Sequence, residues 1–177
     1  KNKKEKDIVN PLNIYAKSKL VGENEVLKKD SSALVIRTNF FGNGPSYKFS
    51  FSDKIISSLI KKQKIPLFSN VYYTPIHVNE LADIVFNLIQ YNKRGIYNIS
   101  SNERITKYDF GILISKYMNE DNELIVPIKI EEKKDLVIRP KDMSLNNKKI
   151  KDSININIKP INDQVLELIK KSKIEID

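Results

Sequence analysis

Cysteine is absent from the 177 residues, which excludes a disulfide framework, a thiolate metal site and a thiol nucleophile. The disulfide-stapled secreted class is excluded with it. The composition fits a reducing compartment, so we expect a cytoplasmic location. No apolar run approaches the length of a membrane span and no signal peptide opens the sequence, so no membrane partner is expected. We predict no metal site.

Arginine is scarce in a chain whose net charge is +9. Of the 31 basic residues only four are arginines, namely Arg37, Arg94, Arg104 and Arg139. Nucleic-acid readers use arginine for bidentate contacts and cluster their charge on one face. Here lysines are spread over the whole chain, which is typical of a solvated surface. We therefore expect no nucleic-acid partner.

Glycine is scarce as well, and no Gly-x-Gly-x-x-Gly fingerprint occurs. The nearest approach, over residues 42–47, lacks the third glycine and has Pro45 where the fingerprint would open a helix. Such a segment cannot hold a pyrophosphate at a helix N-terminus. The sequence also opens at Lys1 without a preceding methionine, which we interpret as the start of a fragment.

Strand and helix patterns alternate along the chain and predict an α/β fold with some parallel sheet. Asn10, with Pro11 after it, is predicted to cap the first helix, and Asn79 and Thr106 are predicted to cap later ones. The stretch 131–160 reads as a polar loop. Predicted helices cover 11–29, 50–62, 80–91, 107–118 and 162–173, and predicted strands cover 33–38, 65–68, 72–77, 95–99 and 124–130.

Tyr15 and Lys19 stand four residues apart on the first predicted helix, so they share one face. A lysine ammonium favours a nearby phenolate and brings the tyrosine hydroxyl within reach of proton transfer at neutral pH. Such a pair can exchange a proton with a sugar carbonyl or hydroxyl while hydride moves. A half-buried tyrosine beside a surface lysine would show the same spacing. The surrounding residues are therefore needed to distinguish a catalytic pair from a structural one.

Those surroundings resemble the extended short-chain dehydrogenases, and within them the dTDP-4-dehydrorhamnose reductases. The stretch 11–19 followed by Gly22-Glu23 resembles the active-site helix of the family. Five later features follow in the family's order: Ile36–Gly42, Thr74–Ala82, Gly95–Ile99, Thr106–Phe110 and Arg139–Leu145. The resemblance implies the C-terminal part of a Rossmann-like fold with a small substrate-binding lobe. It also implies NADP or NAD as cofactor and a role in cell-surface polysaccharide biosynthesis.

The family's site residues can be carried onto six positions. Tyr15 would be the general acid that protonates the C4 ketone oxygen, and Lys19 would hydrogen-bond the nicotinamide ribose. Thr38 and Asn39 would lie beside the cofactor, and Arg139 would contact the substrate pyrophosphate, or else form a loop salt bridge. Because the loop after Arg37 is one residue short, either Asn39 or Phe40 would face the sugar. The single histidine, His77, is expected to be structural.

The resemblance also implies what lies outside this sequence. The family carries its glycine fingerprint and a catalytic Ser or Thr in an N-terminal half, so that missing half would be a partner, bind most of the cofactor and leave this fragment inactive alone. The full-length protein is expected to reduce an NDP-4-keto-6-deoxy sugar, and a homodimer is compatible with the family. The alternatives are an NAD-dependent sugar-nucleotide epimerase or dehydratase, and a non-catalytic regulatory subunit of methionine adenosyltransferase type. Tyr72-Tyr73, where epimerases often carry an arginine, favours the reductase.

Overall fold

The strands of the protein are short and pair two by two, with helices packed around them. A computed structural model describes residues 1–45 and 47–172. The helices within these residues are α1 (Ile14–Lys29), α2 (Phe51–Ile60), α3 (Val78–Gln90), α4 (Lys107–Met118), α5 (Lys148–Ile154) and α6 (Ile161–Lys171). The strands are β1 (Leu34–Thr38), β2 (Phe40–Phe41), β3 (Ile65–Phe68), β4 (Tyr72–Tyr73), β5 (Ile76–His77), β6 (Gly95–Ile99), β7 (Ile105–Thr106) and β8 (Ile125–Ile128).

Among the described residues, three of the four strand pairings are parallel. β1 pairs with β6 from Leu34 opposite Gly95 to Thr38 opposite Ile99. β2 pairs with β5 and β3 with β8 in the same sense, whereas β4 and β7 are antiparallel. Parallel strands require crossover connections, and here those connections contain the helices. The α/β prediction with parallel pairing is confirmed.

Two separate hydrophobic cores hold these elements together. The larger core surrounds Phe110 and Ile114 of α4 and includes buried side chains from α2, β3, β8 and α6. The second core joins Ile99 of β6 to Leu88 of α3 and to Ile150 of α5. Each core completely buries several large apolar side chains. The burial of one such side chain stabilises the folded protein by about 1.5–3 kcal/mol.

The helix boundaries follow local capping chemistry where the cap is strong. The Thr106 hydroxyl accepts from the Asp109 backbone N–H at 2.9 Å, and the Asp109 carboxylate accepts from the Thr106 N–H at 3.0 Å. This capping box starts α4 where the sequence predicted it. Ser50 and Asp53 form a second box at the start of α2.

Five expectations about the elements were wrong. The strand predicted over 72–77 is two strands, β4 and β5, which pair with different partners. Helix α1 begins at Ile14 because Asn13, not Asn10, caps it; the Asn13 amide oxygen accepts from Ala16 N–H at 2.8 Å, and its amide nitrogen donates to the Ile138 carbonyl. Helix α3 is capped by His77 instead of Asn79. Helix α5 lies inside the stretch predicted to be loop. Strand β1 is half-buried along its whole length, not buried. Residue 173, the predicted end of the last helix, lies outside the described residues.

Candidate functional site

Tyr15 and Lys19 lie at the beginning of α1 and are open to solvent. The Tyr15 side chain is 71% exposed, and Lys19 Nζ lies 5.5 Å from the centre of the Tyr15 ring. No residue of α1 is buried, although the helix carries several apolar side chains. The two side chains therefore lie on one exposed face of α1, as their four-residue spacing predicts.

An ion pair fastens this helix to the neighbouring strand. Arg37 of β1 donates from Nε and Nη2 to the two carboxylate oxygens of Glu23, at 2.8 and 2.5 Å. Both side chains are largely buried, and Glu23 follows Lys19 by one helical turn. The pair consequently fastens the face of α1 one turn beyond Lys19 to β1.

The carboxyl end of β1 leads directly from this ion pair to the other predicted site residues. Thr38 Oγ1 is buried and has no hydrogen-bond partner among the described residues. Asn39 donates from Nδ2 to the Met143 carbonyl at 2.9 Å, whereas the Phe40 ring is 64% exposed. Asn39 therefore holds a neighbouring segment, and Phe40 is the residue of the two that stays available to a ligand.

Phe40 forms one side of a cavity of about 330 Å³ between β2 and the start of α2. Phenyl rings dominate its wall, and Lys48 is also among the lining residues. Asp53 holds two of the lining residues in place, since its Oδ2 accepts from Gly44 N–H at 2.6 Å and from Ser50 N–H at 2.8 Å. The lining side chains include Phe40, Phe41, Pro45, Phe49, Phe51 and Val78. An apolar, aromatic cavity of this kind suits a planar ring, which can pack against the phenyl faces.

Arg139 lies in an exposed stretch close to the start of α1. The contact that brings it there is the hydrogen bond from Asn13 Nδ2 to the carbonyl of Ile138, its direct neighbour, at 2.9 Å. The guanidinium makes no hydrogen bond or ion pair within residues 1–45 and 47–172. Of the two expectations for Arg139, the loop salt bridge is thus not formed among these residues.

His77 is buried and packed by structural contacts. Its backbone N–H donates to Gln164 Oε1 at 2.6 Å, and its Nδ1 accepts a long contact of 3.4 Å from Asn79 N–H. The ring meets Phe41 edge to face at 5.3 Å. Burial lowers the pKa of His77, with Glu167 opposing the shift, so the ring is neutral near pH 7. These contacts agree with the structural role expected for this histidine.

Lys107, at the first position of α4, was missed by sequence reasoning. Its Nζ lies 3.4 Å from the centre of the Tyr73 ring and 4.5 Å from that of Phe51, which lines the cavity. Burial lowers the pKa of Lys107 to about 8. A signal was present, because a lysine in the first turn of a helix opposes the helix dipole and needs a compensating contact. Here two aromatic faces provide that contact.

The part of the chain that the structure describes contains neither a cluster of metal-ligating side chains nor a helix that could span a membrane. No group of three or more His, Asp or Glu side chains is arranged to hold a metal ion there. None of the described helices is long and apolar enough to cross a bilayer.

The parallel strand pairing, with helices in the crossover connections, defines an α/β protein of the Rossmann-like class. The chain belongs to the RmlD substrate binding domain family, whose model matches residues 1–174. The resemblance seen in the sequence is confirmed at this level.

Curated relatives are distant and longer than this chain. A "probable low-salt glycan biosynthesis reductase" from Haloferax volcanii is 29% identical over 118 residues, covering 65% of this chain and 39% of the relative. Methionine adenosyltransferase 2 subunit beta from Danio rerio is 28% identical over 131 residues, covering 70% and 41%. The chain thus spans about two fifths of the length of these relatives.

Solved structures match the fold closely. A dTDP-4-dehydrorhamnose reductase from Clostridium acetobutylicum superposes with a TM-score of 0.86 at 24% identity, covering 96% of this chain and 59% of that one. A dTDP-4-dehydrorhamnose reductase from Bacillus anthracis, solved in complex with NADP, gives 0.84 at 21% identity, covering 96% and 59%. These similarities establish the fold.

Proposed function

We propose that this chain is the substrate-side portion of an NAD(P)H-dependent reductase that acts on an NDP-4-keto-6-deoxy sugar. The observation that carries the proposal is the exposed Tyr15–Lys19 pair on a helix tied by Arg37 and Glu23 to β1, which ends two residues before Phe40 of the cavity wall. The family membership and the reductase from Haloferax volcanii support the same reaction class.

The residues of the chain fit a nicotinamide cofactor on one side of this helix. Thr38 Oγ1 is a buried hydroxyl without a described partner, at the carboxyl end of a parallel strand, where α/β proteins bind ligands. Lys19 offers an ammonium and Tyr15 a hydroxyl on the adjacent helix. When bound, the cofactor supplies hydride to the carbonyl carbon of the sugar. Tyr15, Lys19, Thr38 and Asn39 are the residues that we propose to lie beside it.

In the proposed reaction Tyr15 donates the proton. The Tyr15 hydroxyl hydrogen-bonds to the C4 ketone oxygen and transfers its proton to that oxygen, which gives the alcohol. The Lys19 ammonium stabilises the phenolate that remains on Tyr15. Phe40 and the cavity rings hold the sugar nucleotide, and Arg139 binds its diphosphate through a forked guanidinium.

We further propose that the glycine-rich half of the nucleotide-binding fold is a separate part of the protein and packs on α1 and β1. The support is the exposed apolar surface that these elements present, with Ile14, Val21 and Val26 of α1 all exposed. Among the described residues β1 has a strand neighbour on one edge, which is β6. In folded proteins, large exposed apolar patches and unpaired strand edges are usually covered by another part of the protein or by a partner.

The test uses the complete polypeptide with NADPH or NADH and a dTDP-4-keto-6-deoxy sugar. We expect cofactor oxidation coupled to formation of the 4-hydroxy sugar, and Tyr15→Phe should slow it by about 10²–10⁴-fold with little change in binding. Lys19→Ala should reduce both the rate and cofactor affinity. A Tyr15→Phe protein that reduces every accepted sugar at the native rate would refute the assignment.

A second candidate follows from the similarity to methionine adenosyltransferase 2 subunit beta. On that alternative the chain belongs to a non-catalytic binding subunit of the same fold. A complete protein that binds cofactor tightly but turns over no keto-sugar would favour it. Product analysis by NMR would also separate reduction from epimerisation or dehydration, because the three reactions give different sugars. Cofactor consumption separates them as well, because only reduction oxidises the cofactor stoichiometrically.

A further inference from the structure

Residues 138–146, here called the strap, connect the separate parts of the candidate site. At one end the Ile138 carbonyl accepts from Asn13, the cap of the helix that carries Tyr15 and Lys19. In the middle the Met143 carbonyl accepts from Asn39 at 2.9 Å. The strap also carries Arg139. A shift of this segment would therefore move site residues that lie on three different elements.

Arg104 and Tyr72 clamp the strap at Asp142. Arg104 Nη2 and Nε donate to Asp142 Oδ2 at 2.8 and 3.2 Å, and the guanidinium carbon lies 3.6 Å from the centre of the Tyr72 ring. The backbone of Tyr72 forms two further hydrogen bonds with the strap. Its N–H donates to the Lys141 carbonyl at 2.7 Å, and its carbonyl accepts from Met143 N–H at 2.9 Å. The arginine is thus held on two sides, by a carboxylate and by a ring.

The other oxygen of Asp142 shapes the strap itself. Asp142 Oδ1 accepts from the Ser144 backbone N–H at 3.0 Å and from the Ser144 hydroxyl at 2.6 Å. Partial burial acts to raise the pKa of Asp142, but the hydrogen bonds from Arg104 and Ser144 outweigh it and hold that pKa well below its usual range. The carboxylate is therefore charged at neutral pH, as its contacts with Arg104 and Ser144 require.

We propose that Arg104 is a positioning residue for the sugar-nucleotide diphosphate, acting through Asp142 to hold the strap so that Arg139 reaches the substrate. This inference rests on the proposed function. Arg104 itself is engaged by Asp142 and Tyr72, while the Arg139 guanidinium has no described partner and is exposed. Arg104 thus orders the strap, and Arg139 remains available to bind the diphosphate.

The kinetic test compares variants of the complete protein on a dTDP-4-keto-6-deoxy sugar. Arg104→Gln should raise the KM for the sugar nucleotide about tenfold and leave kcat and the KM for the cofactor nearly unchanged, since a charge-assisted contact is worth roughly this factor. Arg104→Lys should rescue part of the loss, because it keeps the charge but not the planar stack. Arg94→Gln is the matched control, since Arg94 is exposed and makes one contact to the Ser32 carbonyl.

A double-mutant cycle distinguishes positioning from general destabilisation. Arg139→Gln alone should raise the same KM, and adding Arg104→Gln should raise it little further, because both act on one contact. Hydrogen exchange provides a second measurement: the amides of Met143 and Asn146 should exchange faster in Arg104→Gln, while those of α2 keep their native protection. Fully additive effects, or a loss confined to kcat, would overturn the inference.

Calorimetry with dTDP keeps this inference separate from the reductase assignment. If the complete protein binds dTDP, and Arg104→Gln and Asp142→Asn both weaken that binding about tenfold, the positioning role stands even where no keto-sugar is reduced. If Arg104→Gln binds dTDP as the native protein does, the positioning role is wrong, whether or not the protein is a reductase.

Discussion

Arg37 and Glu23 join β1, the strand that precedes Phe40 of the cavity wall, to the helix that carries Tyr15 and Lys19. Two guanidinium nitrogens meet two carboxylate oxygens, at 2.8 and 2.5 Å, and both side chains are largely shielded from water. Because no residue of α1 is buried in the described structure, this pair contributes much of what orients the helix.

We therefore expect Glu23→Gln to loosen α1. The substitution leaves a partly buried guanidinium without its counter-charge, which should lower the free energy of unfolding by about 1–3 kcal/mol. Hydrogen exchange should rise along Ile14–Lys29, and urea denaturation measures the stability change. The control is Glu25→Gln on the same helix, where the side chain is exposed. Equal effects of the two variants would contradict the role of the pair.

Two helical glycines should respond in opposite ways to alanine. A Cβ on Gly111 would lie 2.3 Å from Leu67 Cδ1 and 3.1 Å from Ile125 Cγ2, so α4 packs on β3 and β8 through this glycine. Gly111→Ala should cost about 1–3 kcal/mol by overpacking. Gly22 has nothing within 4 Å, so Gly22→Ala should stabilise the chain by up to about 1 kcal/mol. Thermal denaturation of both variants tests the contrast, and a stabilising Gly111→Ala would show that the close approach is wrong.

Lys107 should make stability depend on pH in the alkaline range. Burial lowers the pKa of Lys107 to about 8 from an ordinary value of 10.5, so between these values the unfolded chain binds the proton more tightly. The free energy of unfolding should accordingly rise as pH increases from about 8 to about 10.5. Lys107→Met should remove this rise and stabilise the chain near pH 7, by at most about 3 kcal/mol, because the contacts with Tyr73 and Phe51 offset part of the burial cost.

Other groups titrate in the same range, so the difference between native chain and variant is what should be measured. Urea denaturation at pH 7.5, 9 and 10.5 provides it. Lys116→Met on the same helix is the control, since Lys116 is exposed and its removal should shift all three values equally. A constant difference for Lys107→Met as well would mean that Lys107 keeps its ordinary proton affinity.

The chain by itself should bind a dinucleotide weakly. No glycine-rich turn in this sequence can hold a pyrophosphate, and the residues that fit the cofactor approach it from one side. Titration of NADPH by calorimetry tests this. A dissociation constant of about 1 μM or tighter would refute the proposal that the principal cofactor contacts come from a separate half.

Several elements of this protein could be predicted because their signals are local. Thr106 and Asp109 are three residues apart and close a capping box that needs nothing from the rest of the chain. Strand β6 was predicted with its observed bounds, Gly95 to Ile99. Tyr15 and Lys19 share a face because the helix repeat alone brings residues i and i+4 together. The catalytic roles of that pair stay a prediction.

Other features depended on contacts between distant parts of the chain. Helix α5 is lysine-rich and short, and it is stable because Ile150 packs into the core beside β6. Asn13 caps α1 in preference to Asn10 because its amide also meets the carbonyl of Ile138, 125 residues away. His77 caps α3 with its ring packed on Phe41.

The sequence by itself determined the fold class, the order of most elements and the shared helix face of Tyr15 and Lys19, since these follow from short-range periodicity. Only the tertiary structure decided that Asn39 is engaged with Met143 while Phe40 stays exposed, and that Arg104 clamps Asp142 across 38 residues. The reason is that contacts between side chains far apart in the sequence depend on how whole helices and strands pack. Local sequence patterns do not determine that packing.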